Sequence, residues 1–287
     1  MSASQSFQIF LDFDGTLART FDPNPDGIGV HQVHEQVIEN MFGPNGLAAY
    51  EHCGGLNGGG RSPEQVIAAM LDHNPTLSDQ PIAELTREFV QQKLDVLMNL
   101  IGWYPDRRRW PEPYPGLLDF FNLVRQINRV GTVRSFLGGI SSGHPAFSTR
   151  PFGHAWGQQL PPILVTNDEV LARCPTPGPE CSKPGTLPFT LAIEQWRQET
   201  GNGSFEAADR NATVYIGDSP KHDGAFARNC NISFLCFDPD NKFEPGSNEG
   251  RFTEWSELTS IVTQRLLMAQ LAQPLSARSV FPGLQVA

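Results

Sequence analysis

The stretch Phe7 to Thr16, FQIFLDFDGT, constrains this chain more than any other. Ile9, Phe10 and Leu11 form a short apolar run. It stops at two carboxylates, Asp12 and Asp14, with Phe13 between them and Gly15 and Thr16 after them. A strand buried on both faces of a parallel sheet reads this way. Ligands of such sheets bind beyond the carboxyl ends of the strands, which is where both acids fall. Gly15 permits a tight turn or a close backbone approach at that point. Either acid taken singly also reads as a helix N-cap following a buried strand.

The pair suits phosphoryl chemistry. An ionised aspartate can attack phosphorus and form an aspartyl-phosphate. A second carboxyl can protonate the leaving oxygen and then deprotonate the water that cleaves the intermediate. Like charges that close resist joint ionisation, so the pattern calls for a metal or another cation beside them.

With 287 residues, 39% of them hydrophobic, the chain can bury one large core or two smaller ones. Its net charge of -10 argues against nucleic acid or a membrane surface as partner. It leaves room for a small anionic substrate, because a bound metal and a few local cations can outweigh the global field. No run of about 18 apolar residues occurs, so no membrane-spanning helix is expected. The opening MSASQSFQIF lacks a basic region followed by an apolar core, and a cytoplasmic protein without a signal peptide is expected. The cysteines, Cys53, Cys174, Cys181, Cys230 and Cys236, are odd in number and fit no zinc spacing. Reduced thiols are the preferred expectation, and Cys174 and Cys181, which flank a Pro/Gly-rich loop, could pair only if oxidised.

Beyond the first strand, residues 18–30 read as a polar loop. A helix follows from His31, carried by Val33, Val37, Ile38 and Met41 and broken by Pro44 and Gly46. Gly54 to Ser62 is a glycine-rich loop. Ser62, Pro63 and Gln65 then mark a helix start, and a further helix runs from Pro81 to Ile101. Gly102 to Pro115 is a linker with an arginine run, Arg107 to Arg109, read as a solvated face. Helices are expected at 116–128 and 186–196 and a short one at 223–228. Strands are expected at 136–140, 163–165, 214–216 and 234–237, the last of them closing the sheet. His144 to Pro162 shows little periodicity. A terminal helix from Trp255 to Leu271 runs into a tail set at 266–287. Alternating strands and helices predict an α/β fold, a Rossmann-like parallel sheet with right-handed crossovers. The helical stretch that interrupts the alternation predicts an inserted α-helical cap, residues 17–112, on a core of 1–16 and 113–265.

Four of the apolar strands or their following loops end in groups suited to one phosphate. Asp12 and Asp14 come first. Ser141 and Ser142 follow the second strand, and their hydroxyls and amides can bind phosphate oxygens. Lys183 lies in a loop that opens a helix. Asp218 and Asp223 follow a later strand and suit Mg2+, which takes a few carboxylates together with water and phosphate oxygens. Each alone has a bland reading as a turn, a cap or a solvated loop residue.

The ordered set DFDGT, ISSG, KPG and GDSPKHD resembles the haloacid dehalogenase superfamily over most of Phe7 to Pro239. The resemblance implies a Rossmann-like core with a C1-type helical cap. It implies Asp12 as nucleophile and Asp14 as general acid/base. Ser141 with the Ser142 amide would bind phosphate, and Lys183 would stabilise charge. Mg2+ would be held by Asp12, the Asp14 carbonyl and Asp218, with Asp223 supporting the metal or Lys183. The segment Ile163 to Asn167 resembles the second motif as well, through Thr166. Ser141 is favoured because Thr166 leaves too short a span before Lys183.

An acid at Asp14 disfavours the dehalogenase branch. The phosphonatase branch needs a cap lysine, and Lys93, the candidate, reads as a surface residue. The expectation is a Mg2+-dependent phosphatase acting on a small phosphorylated metabolite, with a phosphomutase or a non-catalytic phosphate- or protein-binding module as alternatives. Arg61, in the glycine-rich loop, is the candidate specificity residue for a second anionic group. His144 and His222, beside motif residues, receive no role.

Overall fold

Strand β1 (Ser6–Leu11) is the centre of the sheet because nothing in it needs water. Ile9, Phe10 and Leu11 are fully buried, and so is Gln8, whose side-chain oxygen accepts a hydrogen bond from the Thr213 hydroxyl at 3.1 Å. A buried amide is tolerated when it is paired in this way. These features come from a computed structural model that describes residues 6–24, 26–55, 63–102, 111–130, 134–154, 156–174, 180–201, 204–243 and 250–269.

The chain forms two compact units. One contains Met1–Arg19 and Glu112–Ala287, and the other Thr20–Pro111. The second unit is helical, with α1 (Val30–His52), α2 (Pro63–His73) and α3 (Ile82–Gly102) packed pairwise. On these helices Val33, Val37, Ile67, Met70, Leu85 and Phe89 are buried. The helical run from Val30 is broken at Gly43 and Pro44, as the sequence suggests. Gly43 takes a left-handed φ of 68°, and the chain re-enters a helix with Pro44 in its first turn, where a missing N–H costs nothing. The result is two helical runs that meet at a sharp kink. Lys93 is half-buried and is no simple surface residue. Burial pushes the His34 imidazole well below its ordinary pKa, and the nearby Lys93 and His31 push it further.

In the first unit, α4 (Leu117–Val130) leads to β2 (Arg134–Ile140), then α5 (Pro145–His154), β3 (Ile163–Val165) and α6 (Asn167–Arg173). Next come α7 (Leu187–Thr200), α8 (Ala207–Asn211), β4 (Thr213–Gly217), α9 (Ala225–Asn229), β5 (Ser233–Phe237), β6 (Gly250–Phe252) and α10 (Trp255–Ala269). The six strands are all parallel, in the order β3-β2-β1-β4-β5-β6. This is a Rossmann-like α/β sheet. Among the described residues no helix is long and apolar enough to cross a membrane.

The structure adds elements that periodicity missed. The stretch after Ser141 holds α5, in which Phe147 and Phe152 are buried, although Pro151 lies inside it. The segment after β3 forms α6, opened by the Thr166 capping box with Glu169. A sixth strand, β6, lies outside β5, so Phe234–Phe237 does not close the sheet. It is only three residues long and carries Arg251 between two buried positions, too little for a pattern to register. Helix α10 holds residues 266–269 of the expected tail, and the rest of the tail lies outside the described residues. The cysteines are corrected too: Cys174 and Cys181 form a disulfide.

Register sets the ends of the strands. Leu11 pairs with Gly139 of β2 and with Ile216 of β4. Asp12, Ser141 and Asp218 therefore leave the sheet along one carboxyl edge. Below that edge Phe10 packs edge-on against Phe189 of α7, with ring centroids 5.8 Å apart. Phe10→Ala should lower stability by about 3–5 kcal/mol, the usual cost of emptying a phenylalanine site in a core. Urea unfolding followed by tryptophan fluorescence measures it.

Candidate active site

The turn after β1 is built by its own backbone. The Phe13 carbonyl accepts hydrogen bonds from the N–H groups of Leu17 and Ala18, each at 3.0 Å. Gly15, with φ of 72°, occupies the left-handed conformation that this turn requires. Phe13 packs against Phe147 and Trp156, with centroids 5.8 and 5.9 Å away. The aromatic between the two acids is thus an anchor into the core. The Trp255 indole N–H donates to the Thr16 carbonyl at 3.3 Å and ties the turn to α10.

Lys183 stands at the middle of the edge. Its ammonium donates to Asp12 Oδ1 at 2.5 Å, to the Tyr215 hydroxyl at 2.8 Å and to Asp223 Oδ1 at 2.9 Å. Tyr215 in turn donates to the Ile140 carbonyl at 3.1 Å. The second oxygen of Asp223 accepts from the Ser219 N–H at 3.1 Å. Both Asp223 oxygens are therefore engaged, and the side chain acts first as a holder of Lys183. A carbon added at Gly217 would lie 2.4 Å from the Asp223 carboxyl carbon, so only glycine lets that carboxylate lie against β4.

Asp12, Asp218 and Asp223 each present a carboxylate oxygen, and these lie within 4.8 Å of one another. The electrostatics follow from burial and crowding. Burial pushes the Asp12 carboxyl well up, Lys183 pulls it back, and Asp223 and Asp218 push it up again. Burial also works against charge on Lys183, but Asp12 and Asp223 outweigh it, so the ammonium stays protonated. Asp218 is pushed up to about 7 by burial and by Asp223. Three acids around one ammonium leave surplus negative charge, and a divalent cation held by oxygen ligands would relieve it. The donor set fits Mg2+.

Ser141 begins just past β2, with its N–H on the Val165 carbonyl at 2.9 Å and its hydroxyl accepting from the Gly143 N–H at 2.9 Å. A carbon added at Gly143 would lie 3.1 Å from Ser141 Oγ and 3.7 Å from Asp14 Oδ2, so hydroxyl and carboxyl face the same small residue. Ser141, exposed Ser142 and Lys183 line one cavity with Ile140, Asn167 and Cys181. Thr166 lies elsewhere in role. Its hydroxyl is spent on Glu169, in the α6 cap. His144 accepts from the Ala146 N–H at 3.2 Å, which makes it part of the start of α5. Arg61 lies outside the described residues, as do the helix-start residue Ser62 and the arginines at 107–109.

Two residues near this edge escaped the sequence. Tyr215 reads as one more apolar strand position. Its only signal was a hydroxyl three residues before Asp218, in a strand otherwise without polar side chains after Thr213. Ser148 is fully buried with an unpartnered hydroxyl, and a carbon at Gly143 would lie 3.0 Å from it.

No family model matches the sequence, and no curated protein matches it. Solved structures do share its architecture. CbbY from Rhodobacter sphaeroides, in complex with xylulose-(1,5)bisphosphate, is 16% identical. The match covers 88% of this chain and 95% of that one with a TM-score of 0.53. A protein from Lactobacillus plantarum, assigned as a phosphoglycolate phosphatase, is 19% identical over 89% of this chain and 99% of its own, with a TM-score of 0.51. The likeness is one of fold, the Rossmann-like fold that the resemblance to the haloacid dehalogenase superfamily implies.

In this fold the Lys183 cluster rests on the glycine at the end of β4. Gly217→Ala should displace Asp223 and leave the Lys183 ammonium with one anionic partner fewer. A crystal structure of the variant should show the Lys183–Asp223 contact of 2.9 Å opened beyond hydrogen-bond range while the sheet is kept.

Proposed function

We propose that this protein is a Mg2+-dependent phosphatase that hydrolyses a small phosphorylated metabolite through an aspartyl-phosphate on Asp12. The observation that carries the reading is the buried contact of Lys183 with Asp12 and Asp223, set beside the converging oxygens of Asp12, Asp218 and Asp223. A structural salt bridge needs one acid, and a third carboxylate beside the pair only adds repulsion unless a cation joins it.

Asp12 attacks phosphorus. The bond from phosphorus to the leaving oxygen breaks, and Asp14 gives that oxygen its proton. Asp14 then takes a proton from water, which attacks the aspartyl-phosphate and frees phosphate and Asp12. Phosphate oxygens are met by the Ser141 hydroxyl, the Ser142 N–H and Lys183. Asp12, the Asp14 carbonyl and Asp218 would hold Mg2+, which neutralises charge on the nucleophile and the phosphoryl group. Asp223 keeps Lys183 in place. The acid at Asp14 is what a pure binding module has no use for. The phosphate and the xylulose bisphosphate held by CbbY support phosphorylated sugars as the first substrates to try.

Phosphate release from a panel of phosphorylated metabolites, with Mg2+ and with EDTA, tests the reading. Turnover should require Mg2+ and fall by roughly a thousandfold or more in Asp12→Asn, with Asp14→Asn lowering kcat by about 10²–10⁴-fold. Turnover that survives Asp12→Asn removes Asp12 as the nucleophile.

A further inference from the structure

Lys183 does not sit on a strand or a helix. It lies in the turn of residues 180–186 that leads into α7, and its position depends on what holds that turn. Hydrogen bonds do so directly: within the turn the Gly185 N–H donates to the Ser182 carbonyl at 2.6 Å. The Leu187 N–H donates to the Glu180 carbonyl at 3.2 Å, and the Asn229 side chain donates to the Pro184 carbonyl at 2.8 Å. The remaining tie is covalent. Cys181 is joined to Cys174, the residue that closes α6, with their α-carbons 6.1 Å apart.

The two sulfurs differ in setting. Cys181 is buried in the apolar cluster that holds Ile140, Val165 and Val170, and it lines the same cavity as Ser141 and Lys183. Cys174 is only partly buried. The bond thus runs from a solvent-reachable helix end to the wall of the candidate site, two residues before Lys183.

We propose that the Cys174–Cys181 disulfide is a redox latch on the Lys183 turn, closed when oxidised and open when reduced. A thiolate of a small dithiol attacks Sγ of Cys174, the less buried residue of the two, and Cys181 leaves as a thiolate. The second thiol of the reagent resolves the mixed disulfide and departs as a cyclic disulfide. Two electrons and two protons have then entered the protein, as two thiols. A disulfide oxidant such as oxidised glutathione reverses the exchange. In the open state the turn keeps its hydrogen bonds and the contacts of Lys183 itself, but loses its attachment to α6. The ammonium beside Asp12 is then less fixed. This latch is a property of the fold and does not rest on the phosphatase reading.

The test uses the full chain, poised with oxidised glutathione or with dithiothreitol. Peptide mass mapping should find Cys174 and Cys181 joined in the first state and as thiols in the second. Amide hydrogen exchange of Gly185 and Leu187 should be at least tenfold faster in the reduced protein, and likewise in Cys174→Ser under oxidising conditions. Exchange in β1 and β4 should stay unchanged, which shows that the fold is intact. Equal exchange at Gly185 and Leu187 in both states overturns the latch. So does failure of the pair to form under glutathione disulfide.

Discussion

The contact between Lys183 and Asp12 is the interaction on which the arrangement of the carboxyl edge depends. Both side chains are almost wholly buried, at 8% and 11% exposure. A buried ion pair is weak evidence of stability, because desolvation offsets most of the attraction. Removing one partner is a different matter, since it strands the other charge in a low-dielectric setting. Tyr215 and Asp223 complete the coordination of the ammonium, so Lys183 spends its donors on two carboxylates and one hydroxyl. A cluster so completely bonded is held in one geometry, and it is the sheet that supports it.

The sheet does so through register and close approach. Because Leu11 is level with both Gly139 and Ile216, three neighbouring strands deliver polar residues to one edge without any bend of the chain. Glycines then let the polar groups close in. Gly15 turns the backbone back so that its carbonyls stay paired, and Gly217 leaves room for Asp223 against the strand. Lys183, Asp12, Tyr215 and Asp223 are each met by a partner at this edge, with the Asp218 carboxyl at the crowded end.

How much of this was legible in the residues varied with the kind of signal. Strands β1, β4 and β5 were plain, because full burial on both faces leaves uninterrupted apolar runs. Asp12, Asp14, Ser141, Lys183, Asp218 and Asp223 were legible as an ordered set of strand and loop endings, and all but their mutual distances followed from the topology. Helix α5 was not, because Pro151 and the glycines around it mask a helix whose buried residues, Phe147 and Phe152, are too few to show a period. Pro44 was legible as a breaker, and it also serves as the first residue of the next helical run. Tyr215 stayed hidden because a hydroxyl inside a buried strand has no sequence mark until its partners are known. The Cys174–Cys181 pair was legible from its flanking loop, but not that it is joined, because that depends on where α6 ends, and α6 itself was unread.

The charge balance of the edge carries the argument one step further. Across the chain the net charge is -10, and Asp12, Asp218 and Asp223 gather part of it around one ammonium. A phosphate monoester arriving there would meet more negative charge than positive. Ser141 and Ser142 supply dipoles for its oxygens, but dipoles alone do not offset three carboxylates at such separations. Burial sharpens the conflict, since it is also the largest factor lifting both Asp12 and Asp218. A divalent cation shared between the acids and an anionic ligand would relieve that conflict. Without an anionic ligand to share that cation, the same residues would be a costly way to end three strands.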